Sequence, residues 1–332
     1  MDKENRQVKN FYRDKLVDGA IKVDEVLAKA MPLVPVIGLV LGVSLPWVFI
    51  QLRPHITWLF AAMTLSGALR LKARDLGRAA LSPKPLIFYF FTSRILMPLI
   101  VYVLSRLAFQ NDIDMAWGFV LLFAVPTAVT SFVWTTIFKG DLALVLTIIF
   151  LDTIMAPLVG PWTVRILLGA TINLDTIGMA LSLTYMIVIP TIAGVVLNES
   201  SKGKIPIIIS PWIAPISKLA MIPIIAANAS VVADQIRLDN PRVWIIIISC
   251  IFFNVLGFFI GKLMGSLGKL DREKQITLFL TTGLKNNSAA MILGIQFFPA
   301  NAALPAVLGI MTQHIVAGII GRFFTRNRTV LK

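Results

Sequence analysis

The 332-residue sequence is poor in the side chains that build metal and redox centres. It contains a single cysteine, Cys250, and two histidines, His55 and His314. One cysteine excludes an internal disulfide and a cysteine-based zinc site, and two histidines exclude a histidine-rich metal centre. We therefore predict a protein that uses neither a metal nor a cofactor.

Charged side chains are also scarce, and apolar ones replace them. Asp, Glu, Lys and Arg make up 14% of the chain, whereas the AVILMFWYC set makes up 57%. Soluble domains usually hold about 25% charged residues, so a soluble fold of this composition would lack polar side chains to cover its surface. The mean hydropathy of +0.82 predicts an all-α polytopic membrane protein and excludes disordered chains and nucleic-acid-binding modules.

Ten stretches are apolar enough for membrane-spanning helices, each of which needs roughly 20 apolar residues. Residues 1–31 precede them as an arm, in which a helix lying on the membrane surface is one interpretation, and residues 323–332 form a tail. The spans are predicted at residues 32–52, 56–70, 86–109, 115–138, 142–168, 177–197, 208–231, 243–262, 275–297 and 302–322.

The basic residues are distributed unevenly between the loops. With the N-terminus inside, 23 of the 31 Lys and Arg lie on one face, three on the other and five within spans. Cytoplasmic loops carry an excess of Lys and Arg, so we expect both termini to be cytoplasmic, at the plasma membrane. Loops 70–84 and 262–274 would be internal and loops 110–114 and 232–242 external, which explains the net charge of +14 without nucleic acid.

The ten predicted spans divide into two halves of five, residues 32–168 and residues 169–322. An odd number of spans in each half makes the second half enter the membrane from the opposite side. This is the arrangement of inverted repeats, which are common in secondary transporters, and we predict such a pair of repeats here.

Three ionisable side chains lie deep within predicted spans. Asp152 and Lys285 are each about ten residues from the cytoplasmic end of their span, or about 15 Å at 1.5 Å per residue. Opposite charges at one depth predict that Asp152 pairs with Lys285 or carries a proton, and Arg94 lies slightly nearer the cytoplasm. A salt bridge that only holds the bundle together is the structural alternative.

Two predicted spans contain polar interruptions. The ninth reads TTGLKNNSAA at residues 281–290, which a continuous lipid-facing helix would not contain. The fourth reads VPTAVTSF at residues 125–132, where Pro126 lacks the N–H that a helix needs. Interruptions in corresponding spans of the two halves predict broken helices that hold a ligand.

These features together resemble the bile acid:sodium symporter family. MTLSGALRLKARDL at 63–76, ILMP at 95–98, VPTAVTSFVWTTIFKGDLAL at 125–144 and TTGLKNNSAA at 281–290 are similar to that family's motifs, in the same order. The resemblance implies a panel domain of spans 1, 2, 6 and 7 and a core domain of spans 3, 4, 5, 8, 9 and 10. It also implies that spans 4 and 9 are unwound and cross at the centre.

The sequence departs from the family where the family binds sodium through oxygen ligands. Sodium is a hard cation that needs several oxygens, so apolar replacements remove its site. Lys285 stands where the resemblance implies a glutamine, and its charge would repel sodium, so it resembles a tethered cation. The other substituted positions are Phe132, Val145, Ile149, Thr281 and Ser93, whereas the serine Ser131 is retained.

We predict a secondary transporter that moves an organic anion, either a carboxylate or a sterol-like amphipathic anion, by alternating access. Transport would be independent of sodium or coupled to a proton, because Lys285 would take the place of a bound cation. Lys285 and the N-termini of the broken helices would attract the anion. The predicted substrate-binding residues are Lys285, Asn286, Asn287, Ser288, Thr282, Thr127, Thr130 and Ser131. The predicted charge-coupling residues are Asp152, Lys285 and Arg94, with an ion or polar network at Thr281, Gln313 and His314.

Three other functions fit parts of the sequence. A sodium-coupled anion symporter could bind its ion through displaced ligands such as Asp152, Gln313 and Thr312. An intramembrane enzyme is disfavoured, because an aspartyl protease needs two aspartates within the membrane and a serine nucleophile would depend on His314. A sensor or regulator without transport would lose the polar crossing, which this sequence retains.

Overall fold

The computed structural model describes residues 33–69, 71, 83–169, 174–237 and 239–326, together with Gly19, Ala20, Lys22, Val23, Val26 and Leu27. These six are helical, and the predictions for the rest of the arm, for most of loop 70–84 and for residues 327–332 lie outside the described residues. The helices are α1 (Val34–Ser44), α2 (Pro46–Ala68), α3 (Pro83–Ala108), α4 (Ile113–Ala124), α5 (Ser131–Ile137), α6 (Leu142–Leu168), α7 (Thr176–Ser200), α8 (Lys204–Val231), α9 (Pro241–Leu267), α10 (Arg272–Gly283), α11 (Asn287–Phe297) and α12 (Leu304–Arg326).

The described part of the chain is helical throughout, apart from one isolated β-bridge between two loops. Within it, six helices are long and apolar enough to cross a membrane, and α1 with α2 make a seventh if they count as one bent span. Apolar side chains such as Leu158 and Ile207 are 70% and 76% exposed on the outside, where lipid would cover them. The prediction of an all-α polytopic membrane protein is confirmed.

The predicted boundary between the first two spans is wrong. The sequence places it at residues 53–55, but the chain turns at Leu45, and α1 and α2 meet there at an angle of 100°. Pro46 starts α2 because its missing N–H is tolerated in the first turn of a helix. Residues 50–55 then continue as a 3₁₀ turn within α2.

Two interruptions divide helices at the polar segments that the sequence singles out. The first break (residues 125–130) follows Ala124, and Val125 adopts an extended conformation. The second break (residues 284–286) follows Gly283, where Leu284 is extended. Asn286 begins α11 as its N-cap, because its side-chain oxygen accepts a hydrogen bond from the N–H of Ala289 at 3.2 Å.

Helix α3 contains a π-helical turn at Thr92–Leu96. Pro98 lies four residues after Arg94 and cannot donate a hydrogen bond to its carbonyl, which favours the wider turn. Pro190 stands in the same relation to a π-turn in α7, at Thr184–Val188. Single π-turns are frequent at functional sites, and the one in α3 contains Arg94.

Contacts between loops group them into two ends of the helix bundle. At one end, Arg242 forms an ion pair with Asp112 at 2.6 Å. At the other, Asp141 N donates to Glu273 O at 3.3 Å, and the Asn198 side chain donates to Leu71 O at 2.8 Å. This grouping is the one that the basic residues predict, and which end faces the cytoplasm stays a prediction.

Candidate functional site

The two breaks pair with each other through their backbones. Ala128 N donates to Leu284 O at 3.0 Å, and Asn286 N donates to Pro126 O at 2.9 Å. These bonds form an antiparallel bridge between Thr127 and Lys285. Unwound backbone in an apolar interior must find partners inside the protein, and each break supplies partners for the other.

Thr127 connects the first break to two other elements. Its hydroxyl lies 2.9 Å from both Thr281 O and Leu284 O, at the end of α10. Its backbone N–H donates to Asp152 Oδ2 in α6 at 2.7 Å. Thr127 is 2% exposed, so these contacts satisfy polar groups that water does not reach.

Asp152 forms a buried ion pair with Arg94 of α3. Arg94 Nε donates to Asp152 Oδ1 at 2.7 Å, and Arg94 Nη2 lies 2.6 Å from the same oxygen. The second oxygen, Oδ2, accepts from the Tyr89 hydroxyl at 2.8 Å in addition to the Thr127 N–H. Arg94 Nη1 also donates to Ala124 O at 2.6 Å, so the guanidinium satisfies a free carbonyl at the end of α4.

The predicted pairing of Asp152 with Lys285 is therefore wrong. Lys285 Nζ donates instead to Ser93 Oγ at 2.5 Å, and Ser93 Oγ donates to the Tyr89 hydroxyl at 3.3 Å. Depth along a helix gives the height of a side chain but not the direction in which it points. The π-turn in α3 directs both Ser93 and Arg94 inward, and Arg94 reaches the carboxylate.

Tyr89 belongs to this cluster, although sequence analysis did not select it. It is fully buried, and it lies one helical turn before Ser93 on the same face of α3. Ser93 is one of the positions where the resemblance implies a sodium ligand. A tyrosine one helical turn before Ser93 is the sequence signal that could have identified Tyr89. Lys285, Ser93, Tyr89 and Asp152 thus form a continuous hydrogen-bonded chain that joins the second break to α3 and α6.

Several predicted site residues hold the breaks in place. Gln313 Oε1 in α12 accepts from Lys285 N at 3.3 Å. The Ser131 hydroxyl donates to Ala128 O at 2.7 Å, and the Thr281 hydroxyl donates to Thr277 O at 2.8 Å. These side chains bond to local backbone, as hydroxyls in membrane helices commonly do.

The structure places His314 away from the Lys285 chain. Its Nδ1 accepts a hydrogen bond from Trp134 Nε1 of α5 at 3.3 Å. The two rings are nearly parallel, with their centroids 6.4 Å apart. His314 therefore packs against an aromatic ring rather than joining the polar network predicted for it.

Three predicted substrate-binding residues carry buried polar atoms with no hydrogen-bond partner in the described residues. They are Thr130 Oγ1, Thr282 Oγ1 and Asn287 Nδ2. Thr282 is fully buried, and Asn287 and Ser288 at the start of α11 are 3% and 6% exposed. Unsatisfied buried groups of this kind are rare and leave bonding capacity for a ligand.

Four of the positions where the resemblance implies sodium ligands carry no side-chain oxygen. Val145 and Ile149 are buried apolar side chains of α6, 0% and 3% exposed. Phe132 has no oxygen in its side chain, and Lys285 brings a positive charge. Across the described ranges, His, Cys, Asp and Glu residues form no group of three that could hold a metal ion.

Comparison with known proteins gives one family and several relatives. The model of the Sodium Bile acid symporter family matches residues 56–238. An uncharacterized protein of Bacillus subtilis, YbaS, is 33% identical over 302 residues, which cover 91% of this chain and 98% of that protein. A probable chloroplastic sodium/metabolite cotransporter of rice, BASS3, is 25% identical over 76% of this chain and 59% of its own length. The arsenical-resistance protein Acr3 of Alkaliphilus metalliredigens is 28% identical over 48% of this chain and 50% of its own.

Proposed function

The chain belongs to the sodium bile acid symporter family and is an integral membrane transporter, not an enzyme; we propose that it moves an organic anion without sodium. The substrate class is a carboxylate or a sterol-like amphipathic anion. Lys285 takes the place of a bound cation, and transport proceeds by alternating access around the two breaks.

The observation that carries this proposal is an excess of positive charge in a buried site. Arg94 and Lys285 are 5% and 1% exposed, and Asp152 is fully buried. Two cations and one carboxylate leave one positive charge uncompensated, which is costly in an apolar layer. An anionic substrate would neutralise it, whereas sodium would add to it.

The hydrogen bonds around the site also argue against a displaced sodium site. Both oxygens of Asp152 accept bonds from Arg94, Tyr89 and Thr127. The Thr312 hydroxyl accepts from Asn254 Nδ2 at 3.1 Å and donates to Gly309 O at 3.1 Å. A sodium ion would have to replace these partners, so the sodium-coupled alternative requires a rearranged site.

The proposed anion site lies where α11 begins. The N-terminus of a helix attracts negative charge, and Lys285 immediately precedes the N-cap Asn286. The orphaned groups of Thr130, Thr282 and Asn287 supply donors for the anion. The remaining proposed ligands are Asn286, Ser288, Thr127 and Ser131. Of these, Asn286, Thr127 and Ser131 already bond to backbone through their side chains.

We extend the proposal to the architecture. Ten spans result when α1 and α2 count as separate spans and when α4 with α5 and α10 with α11 each count as one broken span. The spans are then α1, α2, α3, α4–α5, α6, α7, α8, α9, α10–α11 and α12. These form inverted repeats at 32–168 and 169–322, a panel of spans 1, 2, 6 and 7 and a core of the others, with both termini cytoplasmic at the plasma membrane. Cysteine labelling on a Cys250→Ala background tests the orientation, since Asp239→Cys should react from outside and Lys269→Cys only after permeabilisation.

Flux into proteoliposomes tests the function. Labelled taurocholate, pyruvate and succinate are offered to the full chain in sodium medium and in N-methylglucamine medium at one pH. We expect saturable uptake of at least one anion at equal rates in both media, and a loss of uptake in Lys285→Gln. Uptake that rises steeply with sodium would favour the sodium symporter, and no uptake of any of the three would favour a sensor or regulator.

A further inference from the structure

Resting on the proposed function, we propose that Lys285 carries one proton with each anion and that Ser93 is its positioning residue. The Ser93 hydroxyl would bond both to the ammonium that brings the proton in and to the neutral amine that remains after the proton leaves. The anion and the proton would therefore move together as an electroneutral pair. The inference depends on which atoms contact Lys285 Nζ and on the charges around it.

The partner of Lys285 can bond to either form of the lysine. An ammonium group only donates hydrogen bonds, and a carboxylate only accepts them, whereas a hydroxyl does both. Ser93 Oγ accepts from the Lys285 ammonium at 2.5 Å, and it could donate to a neutral amine after rotating. Arg94 differs, because its partner is the Asp152 carboxylate and an arginine side chain keeps its proton in proteins.

The charges that face Lys285 are few. Helix α3 presents Tyr89 and Arg94, and α6 presents Asp152. The first break presents backbone groups, and α12 presents the neutral amide of Gln313. Arg94 and Asp152 cancel each other, so the net charge of the site equals that of Lys285 plus any bound anion.

The transport cycle follows from this charge balance. With the anion bound, the Lys285 ammonium is compensated and the site is neutral. When the anion leaves, one positive charge remains in the apolar layer. Lys285 Nζ then gives one proton to water on the side of release and becomes a neutral amine, Ser93 Oγ donates to that amine, and Tyr89 keeps its bond to Asp152 Oδ2. The empty site returns neutral and takes up the next proton and anion together.

The test separates two processes, the exchange of anion inside the vesicle for anion outside and the net uptake of anion. Only net uptake requires the empty site to return across the membrane. Proteoliposomes with a trapped pH-sensitive dye receive labelled taurocholate, whose sulfonate stays ionised across the pH range used. Wild-type net uptake should bring in about one proton per anion and should need no sodium. Lys285→Arg keeps the charge but not the removable proton, so exchange should stay within about threefold of wild type while net uptake falls more than tenfold. Lys202→Arg, on an exposed turn, is the matched control.

A second pair of variants decides the outcome if Lys285→Arg loses exchange as well. Ser93→Ala removes a hydroxyl whose bond to the charged ammonium is stronger than its bond to the neutral amine. The pH at which net uptake is half-maximal should therefore fall by about one unit, and Ser93→Thr should restore it. Ser105→Ala in the same helix, whose hydroxyl donates to Tyr102 O, should leave the profile unchanged. An unchanged profile in Ser93→Ala overturns the inference. Sodium-free wild-type uptake without proton entry also overturns it and leaves the proposed function standing, whereas uptake that requires sodium overturns the proposed function itself.

Discussion

Arg94 and Lys285 are both basic side chains buried near the two paired breaks, and their partners differ. Arg94 contacts a carboxylate oxygen through Nε and Nη2 and also donates to Ala124 O. Among the described residues, Lys285 Nζ has the Ser93 hydroxyl as its hydrogen-bond partner. The Asp152 carboxylate neutralises the charge of Arg94, whereas the Ser93 hydroxyl leaves the charge of Lys285 available to a ligand. Two positive charges in one site can therefore serve structure and transport separately.

Breaking the buried ion pair between Arg94 and Asp152 should have the largest effect on stability. Asp152→Asn leaves the Arg94 guanidinium buried without its counter-charge. Removal of one partner of a buried ion pair costs roughly 3–5 kcal/mol. The free energy of unfolding in detergent micelles would be measured by denaturant titration. We expect Asp152→Asn to lose about that amount.

The chain supplies a matched control in the pair between Arg237 and Asp239. Its contact is 2.8 Å, but both side chains are 68% exposed. Exposed ion pairs contribute little to stability, because water and salt screen them, so Asp239→Asn should change the free energy of unfolding very little. Equal losses in the two variants would show that burial does not distinguish the pairs.

Removing the Tyr89 hydroxyl should have an intermediate effect. Hydrogen bonds to charged groups contribute about 1.5–3 kcal/mol, and Tyr89→Phe removes the one to Asp152 Oδ2 while the Thr127 N–H remains bonded there. The same titration should show a loss at the lower end of that range. Tyr102→Phe, in the same helix, should cost less than about 0.5 kcal/mol, as substitutions away from such networks do. A loss in Tyr102→Phe as large as in Tyr89→Phe would contradict a specific role for the bond.

His314 should show the smallest effect, because its contact is with Trp134 outside the charged cluster. A neutral hydrogen bond contributes about 0.5–1.5 kcal/mol, so His314→Gln should cost no more than that. Anion affinity, measured by equilibrium binding of labelled taurocholate, should stay within about twofold of wild type. A tenfold loss of affinity would indicate that His314 belongs to the binding site.

The sequence predicts best those features of the fold that depend on backbone hydrogen bonding. Pro126 and the polar run around Lys285 mark the two breaks, because a missing N–H and unwound backbone need local polar partners. The partner of Asp152 could not be predicted in the same way. Depth along a span follows from counting residues, but direction around a helix depends on packing and on local turns.

The π-turn in α3 illustrates that limit. It follows from Pro98 four residues after Arg94, yet prolines are common in membrane helices and most predict no particular turn. Without the turn, the inward direction of Ser93 and Arg94 and the place of Tyr89 in the cluster are not visible in the sequence. The roles proposed for Thr282 and Asn287 remain predictions that ligand binding must test.

The central claim, that Lys285 rather than Arg94 is the charge available to the anion, is tested most directly by one thermal-shift measurement on Lys285→Gln. The melting temperature is recorded with and without saturating taurocholate, pyruvate or succinate, whichever the wild type binds. Because Lys285 forms no ion pair in the described residues, its removal leaves no partner charge buried alone. The ligand-free melting temperature should therefore stay unchanged or rise, and the ligand-induced shift should disappear. A full ligand-induced shift in Lys285→Gln, or a ligand-free loss as large as that of Asp152→Asn, would contradict the account.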